Sequence, residues 1–361
     1  MNTRPIMIMA GGTGGHIFPA LAVARELMAR EIPVVWMGSP QGMEAKLIPD
    51  TGIPVAWLTI SGLRGKGMKS WLMAPFKLLF AMTQAFKLLR HYRPRAVLGM
   101  GGFVAGPGGA VASILRIPLV IHEQNSVAGL TNRLLAKVAG NVLQAFPGVF
   151  APSRKVETVG NPVRPEIAAL PDPQERAIAK GEKLKILVIG GSLGAVVFNS
   201  TLPRALSIMP ESERPEIFHQ AGAKNIEAAR SAYEEAGVDA RIEPFIADMA
   251  EAYAWADLVI CRSGALTVSE LAAAGVGSML VPYPYAVDDH QTGNARYLSE
   301  AGAAILMPQP EFTVEHISEY LHKLTASPDI LQEMAIKARA LAQPESTKRV
   351  ADVCAMAGGA A

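Results

Sequence analysis

Short, unbroken apolar runs alternate along this chain with longer stretches in which apolar residues recur every three to four positions. Ile6–Ala10 is wholly apolar and reads as a buried strand. From Pro19 to Arg30, Leu21, Ala24, Leu27 and Met28 fall on one face of a helix. Val34–Met37, Ala96–Met100 and Leu119–His122 repeat the strand signal. Strands separated by helical segments predict a parallel, doubly wound α/β sheet, because a parallel pair needs a crossover long enough to carry a helix. The rhythm breaks over Asn161–Lys183, where Pro162, Pro165, Pro171 and Pro173 precede a charged stretch, as expected of a connection between domains. It then restarts with Ile186–Ile189, Glu216–Gln220, Ala240–Pro244, Leu258–Cys261 and Ser278–Pro282. A last helix, about Ser327 to Met356, could pack on either half.

Length and composition agree with two such units. The chain has 361 residues, half of them hydrophobic and 18% charged, enough for two cores. Ala96–Leu115 is uncharged and long enough to raise the question of a membrane span, but six glycines and Pro107 fit a strand, a turn and a helix better. The N-terminal apolar run is too short for a signal peptide and ends in glycines. Cys261 and Cys354 have neither metal-ligand spacing nor a disulfide framework, and read as inert thiols.

Charge is unevenly spread. No Asp or Glu lies between Asp50 and Glu123, an interval that holds nine Lys or Arg. The net charge of the whole chain is only +2, so the remainder is net acidic. One basic face toward a polyanionic neighbour follows, such as a membrane surface or a nucleic acid. Within the interval, Arg64, Lys66 and Lys69 precede Trp71–Phe80, whose apolar residues exceed one helical stripe. That pairing favours a bilayer interface. Aromatic residues are few and mixed with aliphatic ones, unlike a base-stacking platform, which disfavours nucleic acid.

The candidate chemistry gathers at strand ends. Gly11-Gly12-Thr13-Gly14-Gly15-His16 follows the first strand, and its glycines let a ligand approach the backbone at the start of a helix. It is not G-x-G-x-x-G, and the second strand ends in Gly38-Ser39 with no carboxylate for a ribose, so a dinucleotide reading fails. His16 on such a turn is a candidate general base. Gly190–Ala195 has the same logic in the second half, with Ser192 adding a hydroxyl. Gly101–Gly109 reads as a third loop at the same sheet edge. His122-Glu123-Gln124-Asn125 ends a strand in four polar groups, fit for a site or for a buried hydrogen-bond network. Arg262-Ser263-Gly264 leads into a helix starting near Ala265. There Arg262 could neutralise phosphate, and Glu270, one turn inside, could accept both hydroxyls of a ribose. Asp288-Asp289-His290-Gln291 suits sugar hydroxyls. No D-x-D triplet occurs, and no metal site or cofactor is expected.

Gly11–Pro19, His122–Asn125, Gly190–Ala195 and Cys261–Glu270 with Gln291, in this order and over essentially the whole chain, resemble the MurG family. These are the glycosyltransferase family 28 N-acetylglucosaminyltransferases of peptidoglycan synthesis. The resemblance implies a GT-B fold of two Rossmann-like domains facing a cleft. Residues 1–162 would form an acceptor and membrane-associated domain and residues 163–340 a UDP-GlcNAc-binding domain, with a C-terminal helix at about 341–361 that could return to the first. It implies inverting transfer of N-acetylglucosamine from UDP-GlcNAc to the C4 hydroxyl of lipid I, giving lipid II and UDP. His16 would be the catalytic base and Glu123 the next candidate. Thr13, Gly14, Gly15, Asn125, Arg164, Ser192, Ile246, Ala265, Leu266, Thr267, Val268, Ser269, Glu270 and Gln291 would bind UDP-GlcNAc. Arg64–Phe80 would meet the cytoplasmic face of the inner membrane, as in a peripheral protein without a transmembrane helix. The chain departs from the family pattern at Leu193 and at His290, each where Gln is frequent. A UDP-sugar 2-epimerase of the same fold and a non-catalytic UDP-sugar sensor are the rival readings.

Overall fold

The computed structural model describes residues 4–59, 73–176, 182–191 and 194–359. Arg64–Leu72, the basic start of the predicted membrane segment, and Ser192 lie outside the described residues. The chain divides into two compact units, residues 1–163 with 344–361 and residues 164–343.

The first unit is built on β1 (Ile6–Met9), β2 (Val34–Gly38), β3 (Val55–Trp57), β4 (Ala96–Gly99), β5 (Leu119–Glu123), β6 (Asn141–Gln144) and β7 (Val156–Thr158). They form one all-parallel sheet in the order β3-β2-β1-β4-β5-β6-β7, with Ile6 in register with Val34 on one side and Ala96 on the other. Strand residues alternate between the two faces. Ile6 and Ile8 pack with Ile17, Val23 and Leu27 of helix Gly14–Ala29 and with Val350 and Cys354 of helix Ser346–Ala357. Met7 and Met9 pack the opposite way, against Ala85 and Leu89 of helix Ala74–Tyr92 and Val111 of helix Ala105–Ile114. Both faces are therefore covered, which is why these strands read as continuous apolar runs.

The second unit repeats the plan with β8 (Lys185–Ile189), β9 (Glu216–Gln220), β10 (Arg241–Glu243), β11 (Leu258–Cys261), β12 (Gly277–Leu280) and β13 (Ala304–Leu306), in the parallel order β10-β9-β8-β11-β12-β13. Ile186 and Val188 pack with Phe198 and Leu202 of helix Val196–Ser207 and with Ile317 and Leu321 of helix Val314–Ala326. Each sheet reverses its strand order beside its first strand, between β1 and β4 and between β8 and β11. Open α/β sheets bind ligands at that point, outside the carboxyl ends of the strands.

The structure corrects two helix assignments. The first helix begins at Gly14, five residues before Pro19, with Thr13 as its N-cap, so His16 lies in the first helical turn and not in the loop. The C-terminal segment is two helices, Asp329–Ala340 and Ser346–Ala357, broken near Pro344, which can neither donate a helical hydrogen bond nor sit inside the turn without a clash. Helix Ser346–Ala357 is tied to the first unit: Ser346 Oγ donates to the Asn161 carbonyl at 2.6 Å, and Arg30 pairs with Asp352. Among the described residues no helix is long and apolar enough to cross a membrane, and Ala96–Leu115 forms the expected strand, turn and helix.

Candidate active site

In the second unit the switch point lies between the turn after β8 and the loop after β11. Gly190 sits so close to the returning chain that a Cβ there would lie 2.5 Å from the Ala195 nitrogen. At Gly194, with φ +73°, a Cβ would lie 2.0 Å from the Ala221 carbonyl oxygen. Gln220 Nε2 holds the turn by donating to the Gly191 carbonyl at 3.0 Å. Gly194→Ala is accordingly expected to destabilise the second unit by about 2–4 kcal/mol, through the wrong backbone region and the clash together. Thermal unfolding would measure this.

Helix Ala265–Ala274 starts from Gly264, which has no side chain to cap it, and no acidic residue occupies its first turn. Its positive end points out of the carboxyl edge of β11, where an anion is favoured. Glu270, 4% exposed, lies inside this helix. Its Oε1 accepts from Arg164 Nε at 3.1 Å and Nη2 at 2.8 Å, and its Oε2 from the Tyr253 hydroxyl at 3.2 Å. Burial raises the Glu270 pKa above the ordinary carboxylate value, against the downward pull of the Arg164 guanidinium. Burial also holds the Tyr253 hydroxyl well above its usual range, so it stays a donor.

The raised pKa has a stability consequence. The folded state holds the Glu270 proton more tightly than the unfolded chain does, so the stability this contributes is present below the unfolded-state pKa and lost as pH rises through the folded one. The melting temperature of Glu270→Gln relative to wild type is therefore expected to increase as pH is raised from 4 to 7. A gap that stays constant or narrows would mean that the Arg164 pair outweighs burial.

Arg262, read from the sequence as a phosphate neutraliser, is committed elsewhere. Its Nη1 donates to the Val281 and Pro282 carbonyls at 3.1 and 3.2 Å and its Nη2 to Gln309 Oε1 at 2.6 Å, while its guanidinium lies over the Phe198 ring. It ties the loop after β11 to the loop after β12. Gln291 Oε1 accepts the Tyr283 amide at 2.9 Å. Just before it, Asp288 and Asp289 both have positive φ, 54° and 48°, a costly backbone for residues with a Cβ and one often found at functional loops. Asp289 accepts from Thr292 Oγ1 at 2.7 Å, inside the helix start. Ile246 is buried after β10.

In the first unit, the turn after β1 and the loop after β4 pack on each other. A Cβ on Gly102 (φ +81°) would lie 2.3 Å from the Gly11 carbonyl oxygen, and one on Gly101 (φ +102°) would lie 2.8 Å from His16 Cδ2. The glycines of the third loop thus serve close approach to the first turn and to the His16 ring. His16 Nδ1 lies 3.3 Å from the Gly11 carbonyl oxygen. The half-buried ring, Thr13, Gly14 and Gly15 share the helix start.

The polar end of β5 divides by role. Glu123 is 3% exposed and saturated with donors: Oε1 takes the Asn125 amide at 3.0 Å and Asn125 Nδ2 at 3.3 Å, and Oε2 takes the Gly129 amide at 3.1 Å and Asn132 Nδ2 at 2.9 Å. Four donors on two oxygens leave this carboxylate little room to meet an acceptor hydroxyl, so His16 remains the proposed base. His122 is fully buried, bonded through Nε2 to the Gly160 carbonyl, and burial lowers its pKa, so it is neutral. Gln124 donates to the Met100 carbonyl at 2.8 Å. His122, Glu123 and Gln124 are scaffold, and Asn125 is the residue they present.

Sequence reasoning missed Glu44 and Tyr253. Each acts across the fold, Glu44 on the first turn, where its Oε2 accepts the Gly12 amide, and Tyr253 on Glu270. No local motif marks either.

Residues 6–144 match the glycosyltransferase family 28 N-terminal domain, and residues 185–352 match the family's C-terminal domain. The chain belongs to glycosyltransferase family 28. The family 28 domains coincide with the two sheets, β1–β6 in one match and β8–β13 in the other. The chain is 56% identical over 351 residues, 97% of either protein, to a UDP-N-acetylglucosamine--N-acetylmuramyl-(pentapeptide) pyrophosphoryl-undecaprenol N-acetylglucosamine transferase from Marinobacter nauticus. It is 54% identical to the enzyme of the same name from Alkalilimnicola ehrlichii, over 98% of each chain. Among solved structures it resembles Acinetobacter baumannii MurG with a TM-score of 0.86 and 43% identity, covering 98% of this chain and 99% of that one. The family 28 fold class is GT-B.

Proposed function

We propose that this chain is the inverting N-acetylglucosaminyltransferase that moves N-acetylglucosamine from UDP-GlcNAc to the C4 hydroxyl of lipid I, releasing lipid II and UDP. The observation that carries this is full-length identity above one half to enzymes named for that reaction. The rival 2-epimerase and sensor readings have no such support.

The second unit is the nucleotide side. The start of helix Ala265–Ala274 favours the donor diphosphate, a charge that grows as UDP departs, and fixed dipoles stabilise developing charge without reorganising. Glu270 accepts a ribose hydroxyl: three donors already bind its carboxylate, which leaves one of about four acceptor positions. Arg164 places two of its five N–H groups on Glu270, and its other N–H groups would serve the diphosphate. Ile246, Gln291 and Ser192 complete the donor contacts on this unit. In the first unit, Thr13, Gly14 and Gly15 meet the donor sugar and diphosphate and Asn125 meets the sugar, and His16 takes the proton of the acceptor hydroxyl as oxygen attacks the anomeric carbon in line and the bond to UDP breaks.

Helix Ala74–Tyr92 supports a membrane role on the cytoplasmic side of the inner membrane. It buries only Ala81, Ala85 and Leu89, while Phe76, Leu79 and Phe80 are each more than half exposed beside Lys77. Such a face suits insertion into an anionic interface. Phe76→Ser with Phe80→Ser is expected to reduce sedimentation with anionic vesicles while leaving UDP binding unchanged. Unchanged sedimentation would refute this docking face.

The transfer itself is tested by incubating the protein with labelled UDP-GlcNAc and a lipid I analogue. Label appearing in a lipid-linked disaccharide supports the proposal. Binding of the donor without transfer would support the sensor reading instead.

A further inference from the structure

The grip on the first glycine turn comes from a residue outside every motif. Glu44 opens the short helix Glu44–Leu47 after β2, and it is completely buried. Its side chain turns back toward β1. Oε2 accepts the Gly12 amide at 3.0 Å and Oε1 accepts the Ser39 amide at 2.8 Å, so one carboxylate bridges the loops that follow β1 and β2. The fit leaves no slack: a Cβ on Gly11 would lie 2.3 Å from Oε1, and one on Gly42 would lie 2.1 Å from Oε2. Trp36 Nε1 donates to the Ala10 carbonyl at 3.0 Å. The chain is therefore held on both sides of Gly11, and the Gly11 carbonyl is the group that faces His16 Nδ1.

Charge-assisted bonds from backbone amides to a carboxylate are about twice as strong as neutral ones. They supply rigidity that a run of glycines lacks. An imidazole whose Nδ1–H donates to a carbonyl carries its lone pair on Nε2. We propose that Glu44 is a positioning residue for the transfer reaction. It fixes the Gly11–Gly12 peptide so that the Gly11 carbonyl takes the Nδ1–H of His16, and the ring then offers Nε2 as the proton acceptor. The inference rests on the reading of His16 as the base. Glu44 itself touches neither sugar nor nucleotide in this role.

Glu44→Gln turns one accepting oxygen into a donor that opposes a backbone amide. With folding verified by circular dichroism, kcat is expected to fall about 10- to 100-fold, the cost of a misplaced catalytic group, while the affinity for UDP stays within twofold. The double variant Glu44→Gln/His16→Ala is expected to be no slower than His16→Ala alone, because both substitutions remove the same function. Wild-type kcat in Glu44→Gln, or multiplicative losses in the double variant, would overturn the proposal. Near-normal turnover in His16→Ala would instead overturn the base reading beneath it. A measurement that needs no substitution at Glu44 is nitrogen NMR of histidine-labelled enzyme, with His16 assigned by its absence in His16→Ala. The Nδ1–H tautomer of the neutral ring is expected, and the Nε2–H tautomer would refute the positioning role.

Discussion

Replacing His16 with Ala is expected to lower kcat by about 100- to 10,000-fold, the usual contribution of a positioned general base, and to leave UDP affinity nearly unchanged. The separation follows from where the groups sit. His16 is on the first helical turn after β1, held against the Gly11 carbonyl, whereas the residues assigned to uridine and ribose belong to the second unit. Steady-state kinetics with a lipid I analogue, paired with calorimetry of UDP binding to the same preparation, reads both halves. A comparable loss of UDP affinity would mean that His16 shapes the donor site and does not serve as the base. Glu123 does not inherit the role, since four donors already occupy its carboxylate.

The second large effect is expected at Glu270. Glu270→Ala removes the acceptor of a ribose hydroxyl and leaves the Arg164 guanidinium and the buried Tyr253 hydroxyl without their carboxylate. Hydrogen bonds to a charged group contribute about 1.5–3 kcal/mol each. Losing one such ribose contact should therefore weaken UDP binding by about 10- to 100-fold. Uridine diphosphate titrated by calorimetry measures it, and glucosamine-containing analogues lacking the ribose hydroxyls provide the control: their affinity should be nearly the same for wild type and variant. If Glu270→Ala keeps wild-type UDP affinity, the carboxylate serves only to anchor Arg164 and Tyr253 within the unit.

The parts of this architecture that the sequence displays are those set by local signals. β1 and β11 are buried on both faces and read as unbroken apolar runs, and β5 and β8 carry such a run over Leu119–Ile121 and Ile186–Ile189, while Gly264, three residues after β11, marks the start of helix Ala265–Ala274. The strands that escaped notice, β3, β6, β7 and β13, are three or four residues long and less uniformly buried, so neither run length nor alternation separates them from loops. The first helix was read late because Gly14 and Gly15 are poor helix formers and Pro19 resembles a first helical position; tertiary packing of Ile17, Val23 and Leu27 carries the helix through both. In the site, the glycine turns were legible because only glycine fits their backbone. The structural ties of Arg262 do not show in the sequence because its partners, Val281, Pro282 and Gln309, come from other loops. Glu44 and Tyr253 were invisible for the same reason: their chemistry is made by a contact across the fold.

The most direct test of the account is the stereochemistry and acceptor dependence of the reaction. The enzyme is supplied with UDP-GlcNAc, with and without a lipid I analogue, while released UDP is quantified and the product is examined by proton NMR. Direct attack by a hydroxyl deprotonated at His16 requires inversion, so the account expects a β-linked N-acetylglucosamine at C4 of the muramoyl unit, one UDP for each disaccharide, and no consumption of donor without acceptor. An α-linked product, or conversion of UDP-GlcNAc to another sugar nucleotide in the absence of acceptor, would contradict it.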